Sequence, residues 1–235
     1  MADALLKLNK GSFWKKFVCD SLNSLRAIHN SHPSGSLDEQ GIPAYLNPNP
    51  LARWLFWKRL QVCLSEILHA NGKKCLDFGC GSGIMLPILS QKFQEVIGVD
   101  IAPQVAKEHL NKMKQCGWVT KQNISILPSL ENLSPPDNSF DLILALDVLE
   151  HVKDLDEVLY RLKSGLKSSG ILLVSGPTEN ALYKIGRATT GYSGHYHLRN
   201  IYDIQKAMRQ YFNLRVLRRL VFPFTLFLVI KAAKK

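Results

Sequence analysis

Four groups of residues in this 235-residue chain have types and spacing that can do chemistry. The first is the run Leu76-Asp77-Phe78-Gly79-Cys80-Gly81-Ser82-Gly83. Its glycines let the backbone turn sharply and approach a ligand with no Cβ in the way. The spacing is G-x-G-x-G, whereas a dinucleotide fingerprint needs G-x-G-x-x-G, and the sixth position here is Ile84. Asp77 would repel a pyrophosphate and suits a ligand that carries positive charge. Cys80 lies inside the loop, where a steric part is the simpler reading than a nucleophilic one. The second group is Asp100, directly after the apolar run Val96-Ile97-Gly98-Val99. A carboxylate at such a strand end can accept both hydroxyls of a ribose, a feature that nicotinamide sites share. The third is the segment Asp137–His151, an apolar run flanked by acids that closes on Glu150-His151. That pair can position a substrate or simply hold a loop. The fourth is Tyr192, His195, Tyr196 and His197. A histidine there can take a proton from a hydroxyl or an amine. The alternation of His195 and His197 also suits two metal ligands, but no third ligand is evident, so no metal is expected. A Gly-rich surface loop is the plainer alternative.

These residues need elements to hold them. Short apolar runs alternate with helical patterns from Lys74 onward. Strands are expected at Lys74–Phe78, Glu95–Val99, Asn123–Leu127, Phe140–Leu146 and Ile171–Ser175, and helices at Gly83–Phe93, Pro103–Gln115, Leu155–Leu166 and Ile201–Tyr211. Runs such as Val96–Val99 and Ile171–Val174 are apolar on both faces, as a parallel sheet covered on both sides requires. Two last apolar runs, Leu214–Phe222 and Phe224–Lys231, are joined so closely that they read as an antiparallel hairpin, with Pro223 at its end. Ahead of all this, residues 1–72 read as a helical extension and 73–235 as the main domain. The first thirty residues have helical spacing with a break at Gly11-Ser12, and Ser31–Pro50 is a Pro- and Gly-rich linker. A further helix has Asn49 as N-cap, Pro50 at its first position, and Gly72 as the left-handed residue at its end.

Taken in order and at this separation, the glycine loop and the segment Phe140–His151 with its D-x-L-E-H-like end resemble the class I S-adenosylmethionine (SAM)-dependent methyltransferases. The subgroup most resembled includes the ubiquinone-pathway O-methyltransferases. The resemblance covers about Lys73 to Ser175. It implies a Rossmann-like α/β fold with a seven-stranded mixed sheet in the order 3-2-1-4-5-7-6, strand 7 antiparallel, flanked by helices. It implies SAM as cofactor, with Asp77, Gly79, Cys80, Gly81 and Gly83 under its amino-acid part, Asp100 on the ribose and Ile101 near the adenine. Ser129 and Leu130 fall where the family often has an acid and a small residue, so the adenine amino contact passes to the Ser129 hydroxyl or to backbone. Leu146 lines the pocket after the fourth strand. Tyr192, His195 and His197 take the place of substrate contacts, with one histidine as catalytic base. The activity implied is O- or N-methylation of a small-molecule or lipid-linked acceptor. Competing readings are an RNA-directed methyltransferase, a catalytically silent binding module with the same fold, and a dinucleotide oxidoreductase, which the loop spacing disfavours.

Composition narrows the partners. The formal charge is +11, and from Asn180 onward eleven basic residues face one acid, Asp203. That end attracts anions, which suits an amphipathic or anionic acceptor, contact at a membrane surface, or nucleic acid. A solvated basic surface is the bland alternative. No N-P-P-Y-type motif follows the fourth strand, which weighs against amine methylation of nucleic acid. The N-terminal segment carries lysines and adjacent Phe13 and Trp14, and reads either as a cap over the domain or as a helix lying on a membrane. Leu51–Ala70 holds Arg53, Lys58, Arg59 and Glu66, too many charges for a bilayer helix, and Val221–Ile230 is too short for one. Five cysteines without a C-x-x-C pair point to a reducing, cytoplasmic setting.

Overall fold

The structure, a computed structural model, describes residues 11–33, 37, 40–133, 138–179, 198–221 and 224–235. The chain divides into two compact units, Met1–Ser134 and Pro135–Lys235. The first holds α1 (Gly11–Ser31), α2 (Ile42–Leu46), α3 (Pro50–His69), β1 (Lys74–Phe78), α4 (Leu86–Lys92), β2 (Glu95–Val99), α5 (Pro103–Gln115) and β3 (Ile124–Leu127). The second holds β4 (Phe140–Leu146), α6 (Leu155–Gly165), β5 (Leu166–Pro177), α7 (Ile201–Tyr211), β6 (Phe212–Leu220) and β7 (Phe227–Lys234). The strand order is β3-β2-β1-β4-β5-β7-β6, the mixed sheet expected from the resemblance.

In the first unit β1, β2 and β3 run parallel, with Cys75 opposite Val96 and Val96 opposite Ile124. The apolar runs supply side chains to both faces, and Cys75, Leu76, Val96, Ile97 and Val99 are all buried. Asn49 caps α3, its Oδ1 accepting from the amides of Leu51 (2.9 Å) and Ala52 (3.3 Å). The helix stops at His69 rather than on a left-handed glycine. Ala70 turns extended at once, its amide bonded to the carbonyls of Glu66 and Ile67, and Gly72 has a φ of 148°, far from the left-handed helix. Four residues separate His69 from β1, so the chain must straighten immediately. The linker also contains α2, which begins at Ile42-Pro43 behind Gly41 at φ 71°. α1 packs on α5: Ser24 Oγ is 2.8 Å from His109 Nδ1, and Ser21 Oγ faces Met113 Sδ at 3.9 Å. Its first described turn meets Trp118, edge-on to Phe13 and Phe17, while the Trp118 indole donates to Asp20 at 2.8 Å. Residues 1–10 lie outside the described ones.

In the second unit β4 and β5 are parallel, and β7 lies antiparallel between β5 and β6. β5 begins five residues earlier than its apolar run. Phe140 pairs with Leu166, then Leu142 with Ile171, so the intervening residues bulge out. Gly170 permits this, since a Cβ there would come within 2.9 Å of the Phe140 carbonyl oxygen. The hairpin strands run Phe212–Leu220 and Phe227–Lys234, shifted from the expected limits, and Pro223 lies outside the described residues. Asn200 starts α7 with a capping box shared with Asp203.

Candidate functional site

The glycine loop leaves β1 and stays non-helical for seven residues. Gly79, Gly81 and Gly83 have φ of 69°, 53° and 69°, values that a β-carbon disfavours, and this delays α4 to Leu86, three residues after the expected start. The loop folds back on the end of β2. The amides of Gly79 and Cys80 both donate to the Val99 carbonyl, at 2.8 and 3.1 Å. Close packing fixes two of the glycines. A Cβ on Gly81 would stand 3.0 Å from the Gln40 carbonyl oxygen, and one on Gly83 3.0 Å from Ala106 Cβ in α5. Cys80 Sγ lies 3.1 Å from where a Cβ of Gly98 would be. Burial, then Asp77 and Asp100, raise its thiol pKa, so its part here is packing.

Asp100 is the hub of the site. Its Oδ2 accepts the Gly81 amide at 2.7 Å and its Oδ1 the Ala102 amide at 2.9 Å. Each oxygen keeps accepting capacity for a further donor. Asp77 is buried, and burial first, then the Asp100 carboxylate, push its pKa up to about 7. Ile101 is 80% exposed, an apolar side chain left facing outward. Ser129 accepts the Glu131 amide at 3.1 Å and so caps the turn Leu130–Asn132. All of these belong to the first unit. Leu146 ends β4 in the second unit, half-buried, followed by Asp147 at φ 54°. Asp147 is held to β5 by its amide on the Ser175 carbonyl (2.9 Å) and by the Ser175 hydroxyl donating to its Oδ1 (2.8 Å). Glu150 is buried and His151 exposed; the Glu150 carbonyl accepts the Leu198 amide at 2.9 Å. Tyr192, His195 and His197 lie outside the described residues. Among the described residues no cluster of histidine, cysteine or carboxylate is arranged to hold a metal.

A family model for a methyltransferase domain matches residues 52–221, well over half of the chain. The chain belongs to this family of methyltransferases. The ubiquinone biosynthesis O-methyltransferase of Pasteurella multocida is 32% identical over 126 residues, 50% of this chain and 51% of that protein. The protein of the same name in Bradyrhizobium diazoefficiens is 33% identical over 116 residues, 47% of this chain and 42% of that one. The methyltransferase chain thus spans about half the length of the curated relatives it matches. Among solved structures, the N-methyltransferase NodS of Bradyrhizobium japonicum, in complex with S-adenosyl-L-homocysteine, has a TM-score of 0.59 at 15% identity, covering 92% of this chain and 98% of its own. A Pyrococcus horikoshii protein has a TM-score of 0.65 at 17% identity, covering 89% and 99%. At such identities the likeness is one of fold.

SAM is the cofactor of this class, and the residues present fit it. A buried carboxylate held near pH 7 by desolvation and a like charge is relieved by a cation and made worse by a phosphate. Three side chains near the loop carry no sequence motif. Gln40 places its carbonyl 3.2 Å from the Ser82 amide. Tyr45 is buried, its hydroxyl accepting from Arg59 Nη2 at 3.1 Å. Burial raises the Tyr45 pKa, with Arg59 opposing the rise and Asp77 adding to it. Arg59 had a signal, a charge amid the apolar pattern of α3. Gln40 and Tyr45 had none, because a Pro-rich linker shows no periodicity.

Proposed function

We propose that this chain transfers the methyl group of SAM to an oxygen atom of a small-molecule acceptor. The observation that carries the reading is the Asp77–glycine loop–Asp100 constellation, a cation-seeking carboxylate beside one poised for hydroxyl donors. Oxygen is preferred as the accepting atom because the curated relatives are O-methyltransferases. When bound, SAM supplies a methyl group on a sulfonium, an electrophile that already carries its leaving group. The chain's own work is therefore mostly alignment and exclusion of water. The loop from Gly79 to Gly83, with Cys80 packed inward, brings backbone to the amino-acid part, and Asp77 answers its positive charge. Asp100 takes the ribose hydroxyls. Ile101 offers its exposed apolar side to the adenine, with Ser129 and Leu130 beside it. His195 or His197 takes the proton from the acceptor's hydroxyl and Tyr192 helps to seat it. That last assignment rests on their position between β5 and α7 alone.

The basic C-terminal part bears on the acceptor less than its charge suggests. Arg199 and Lys234 donate to carbonyls of the chain itself, and Lys235 to the Arg209 carbonyl. Arg215, Arg218 and Arg219 are exposed on the edge strand β6, where charge also blocks pairing with another sheet. No helix among the described residues is long and apolar enough to cross a membrane.

Calorimetry of SAM and S-adenosylhomocysteine, on the wild type and Asp100→Ala, tests the cofactor half of the proposal. Micromolar binding lost in the variant is expected; folded protein that binds neither would overturn it. Labelled methyl transfer to phenols, set against amines and RNA, tests the acceptor half. Label appearing only in RNA would move the reading to a nucleic-acid methyltransferase.

A further inference from the structure

An exposed apolar turn closes the β6–β7 hairpin. Phe224 is 62% exposed there, and half-buried Val221 opens the turn at a φ of 65°. Phe222 and Pro223, between them, lie outside the described residues. A β-branched residue rarely adopts the left-handed conformation, which glycine or asparagine takes with little strain. A turn that only reversed the chain would carry one of those instead. The turn is also well tied. The Leu226 amide donates to the Leu220 carbonyl at 2.9 Å. Thr178, directly after β5, donates its amide to the Leu226 carbonyl (3.0 Å) and its hydroxyl to the Thr225 carbonyl (2.8 Å). Cations flank it. Arg218 pairs with Val229 and Arg219 with Leu228, so the two exposed side chains leave opposite faces of the hairpin. At about 3.3 Å per residue, Arg219 stands within about 7 Å of Val221 along the strand. The acids at the ends of β4 and β5, Asp147 and Glu179, are half-buried, the first bonded to Ser175. Protection of an edge strand accounts for the arginines but not for a phenylalanine exposed beyond the strand's end. Register places the turn. Pro177, the last residue of β5, pairs with Phe227, and Ser175 pairs with both Leu146 of β4 and Val229 of β7. The hairpin therefore turns at the carboxyl ends of β4 and β5, the edge at which open α/β sheets take their ligands.

We infer that this turn docks the protein on an anionic lipid surface, Phe224 and Val221 entering the interfacial layer while Arg218 and Arg219 bind the headgroups. An apolar tip between cations matches both layers of such a surface. Arginine can lay its stem against the apolar layer and keep its head in the polar one. The wider charge agrees, with eleven basic residues and one acid from Asn180 onward. A second copy of the chain fits this turn less well, because a twofold interface would set each pair of arginines against its own copy. RNA fits it less well too, since Val221 and Phe224 bring no hydrogen-bonding side chain to a base. Docked this way, the edge formed by β4 and β5 faces the lipid, which suits an amphipathic acceptor. That consequence rests on the methyltransferase reading; the docking does not.

Cosedimentation of the full chain with phosphatidylcholine vesicles, with and without phosphatidylglycerol, tests the inference. The wild type should sediment with the anionic vesicles alone, and less as salt rises. Phe224→Ser should weaken this binding about tenfold, and so should Arg218→Ala combined with Arg219→Ala. Leu51→Ser alters a similarly exposed apolar residue of the first unit, 66% exposed, and should leave it unchanged. Thermal unfolding and S-adenosylhomocysteine binding are measured on each protein and should match the wild type. A failed cofactor reading would show as a wild type that binds vesicles but no S-adenosylhomocysteine. A wild type that ignores anionic vesicles, tip variants that bind them as the wild type does, or an equal loss in Leu51→Ser would overturn the docking. So would a wild-type dimer that Phe224→Ser dissociates, which gives the turn to a second copy. RNA binding lost in the tip variants, with no vesicle binding, would overturn it in favour of nucleic acid.

Discussion

Replacing Asp77 by asparagine should stabilise the ligand-free protein and cost it its cofactor. The pKa of this carboxyl rises from 3.8 to about 7 on folding, through burial and the nearness of Asp100. Between those values the folded chain holds a proton that the unfolded chain has released. The destabilisation is therefore absent below about pH 4, grows as the pH rises, and is complete above about pH 7. A shift of about three units at ~1.4 kcal/mol each sets a ceiling of about 4 kcal/mol. The amide is itself polar and buried, so about half that gain is expected from Asp77→Asn at pH 8. For a chain of this size that is a rise in Tm of roughly 4–8 °C. At pH 4.5 the wild type's penalty is only about 1 kcal/mol, so the variant should be the less stable by about 1 kcal/mol. S-adenosylhomocysteine binding should fall at least tenfold at pH 8, because the charge that answers the ammonium is gone. Urea unfolding at the two pH values, with calorimetry at pH 8, reads all of this. A variant less stable than the wild type at pH 8, or a stability difference that does not change with pH, would refute the reasoning.

Gly83→Ala forces a Cβ to within 3.0 Å of Ala106 Cβ at a φ of 69°, so α5 must shift. About 2 kcal/mol of destabilisation in urea and weaker S-adenosylhomocysteine binding are expected together. Arg199→Ala removes two donors, to the carbonyls of Val152 (2.6 Å) and Lys153 (3.0 Å), and should speed amide exchange in the turn after β4 while costing about 2 kcal/mol. Asn200→Ala dissolves the capping box of α7 and should lower stability by about 1 kcal/mol, measurable in urea.

What the sequence showed and what it hid divide along one physical line. β1, β2, β4, α5 and α7 run between the residues expected, because each is bounded by proline, glycine or a polar cap and its own pattern decides its limits. The glycine loop and Asp100 were legible for the same reason: their function is written in local spacing. The misplaced limits depend on distant neighbours. β5 starts at Leu166 because Phe140 pairs with it across a bulge, and no apolar run marks that residue. Gln40 matters because Gly81, about forty positions later, leaves room for its carbonyl. His109 sits on a helix rich in polar residues and lies fully buried only because α1 covers it. Packing between segments far apart in the chain leaves no periodicity to read.

His109 turns that packing into a second pH-dependent effect, opposite in sign to that of Asp77. Burial drives its pKa down from 6.5 to about 3. The unfolded chain takes up a proton below about pH 6.5 that the folded chain refuses. Stability from this residue is thus complete above 6.5 and is lost as the pH falls toward 3. Between about pH 4 and 6.5 the unfolded state holds one proton more at His109 and one fewer at Asp77. Each group alone gives a slope of ~1.4 kcal/mol per pH unit, and the two cancel. The single variants should unmask them. His109→Gln, which keeps a polar partner for Ser24, should lose stability relative to the wild type as pH rises through this window. Asp77→Asn should gain it over the same range, and the double variant should track the wild type. Titrations of other groups are common to all four proteins and drop out of the differences. Urea midpoints at pH 4.5, 5.5 and 6.5 suffice to measure them. Single variants whose differences from the wild type slope the same way would mean that at least one of these groups is solvated in the folded protein. The claim that α1 seals His109, or that the loop buries Asp77, would then fall with it.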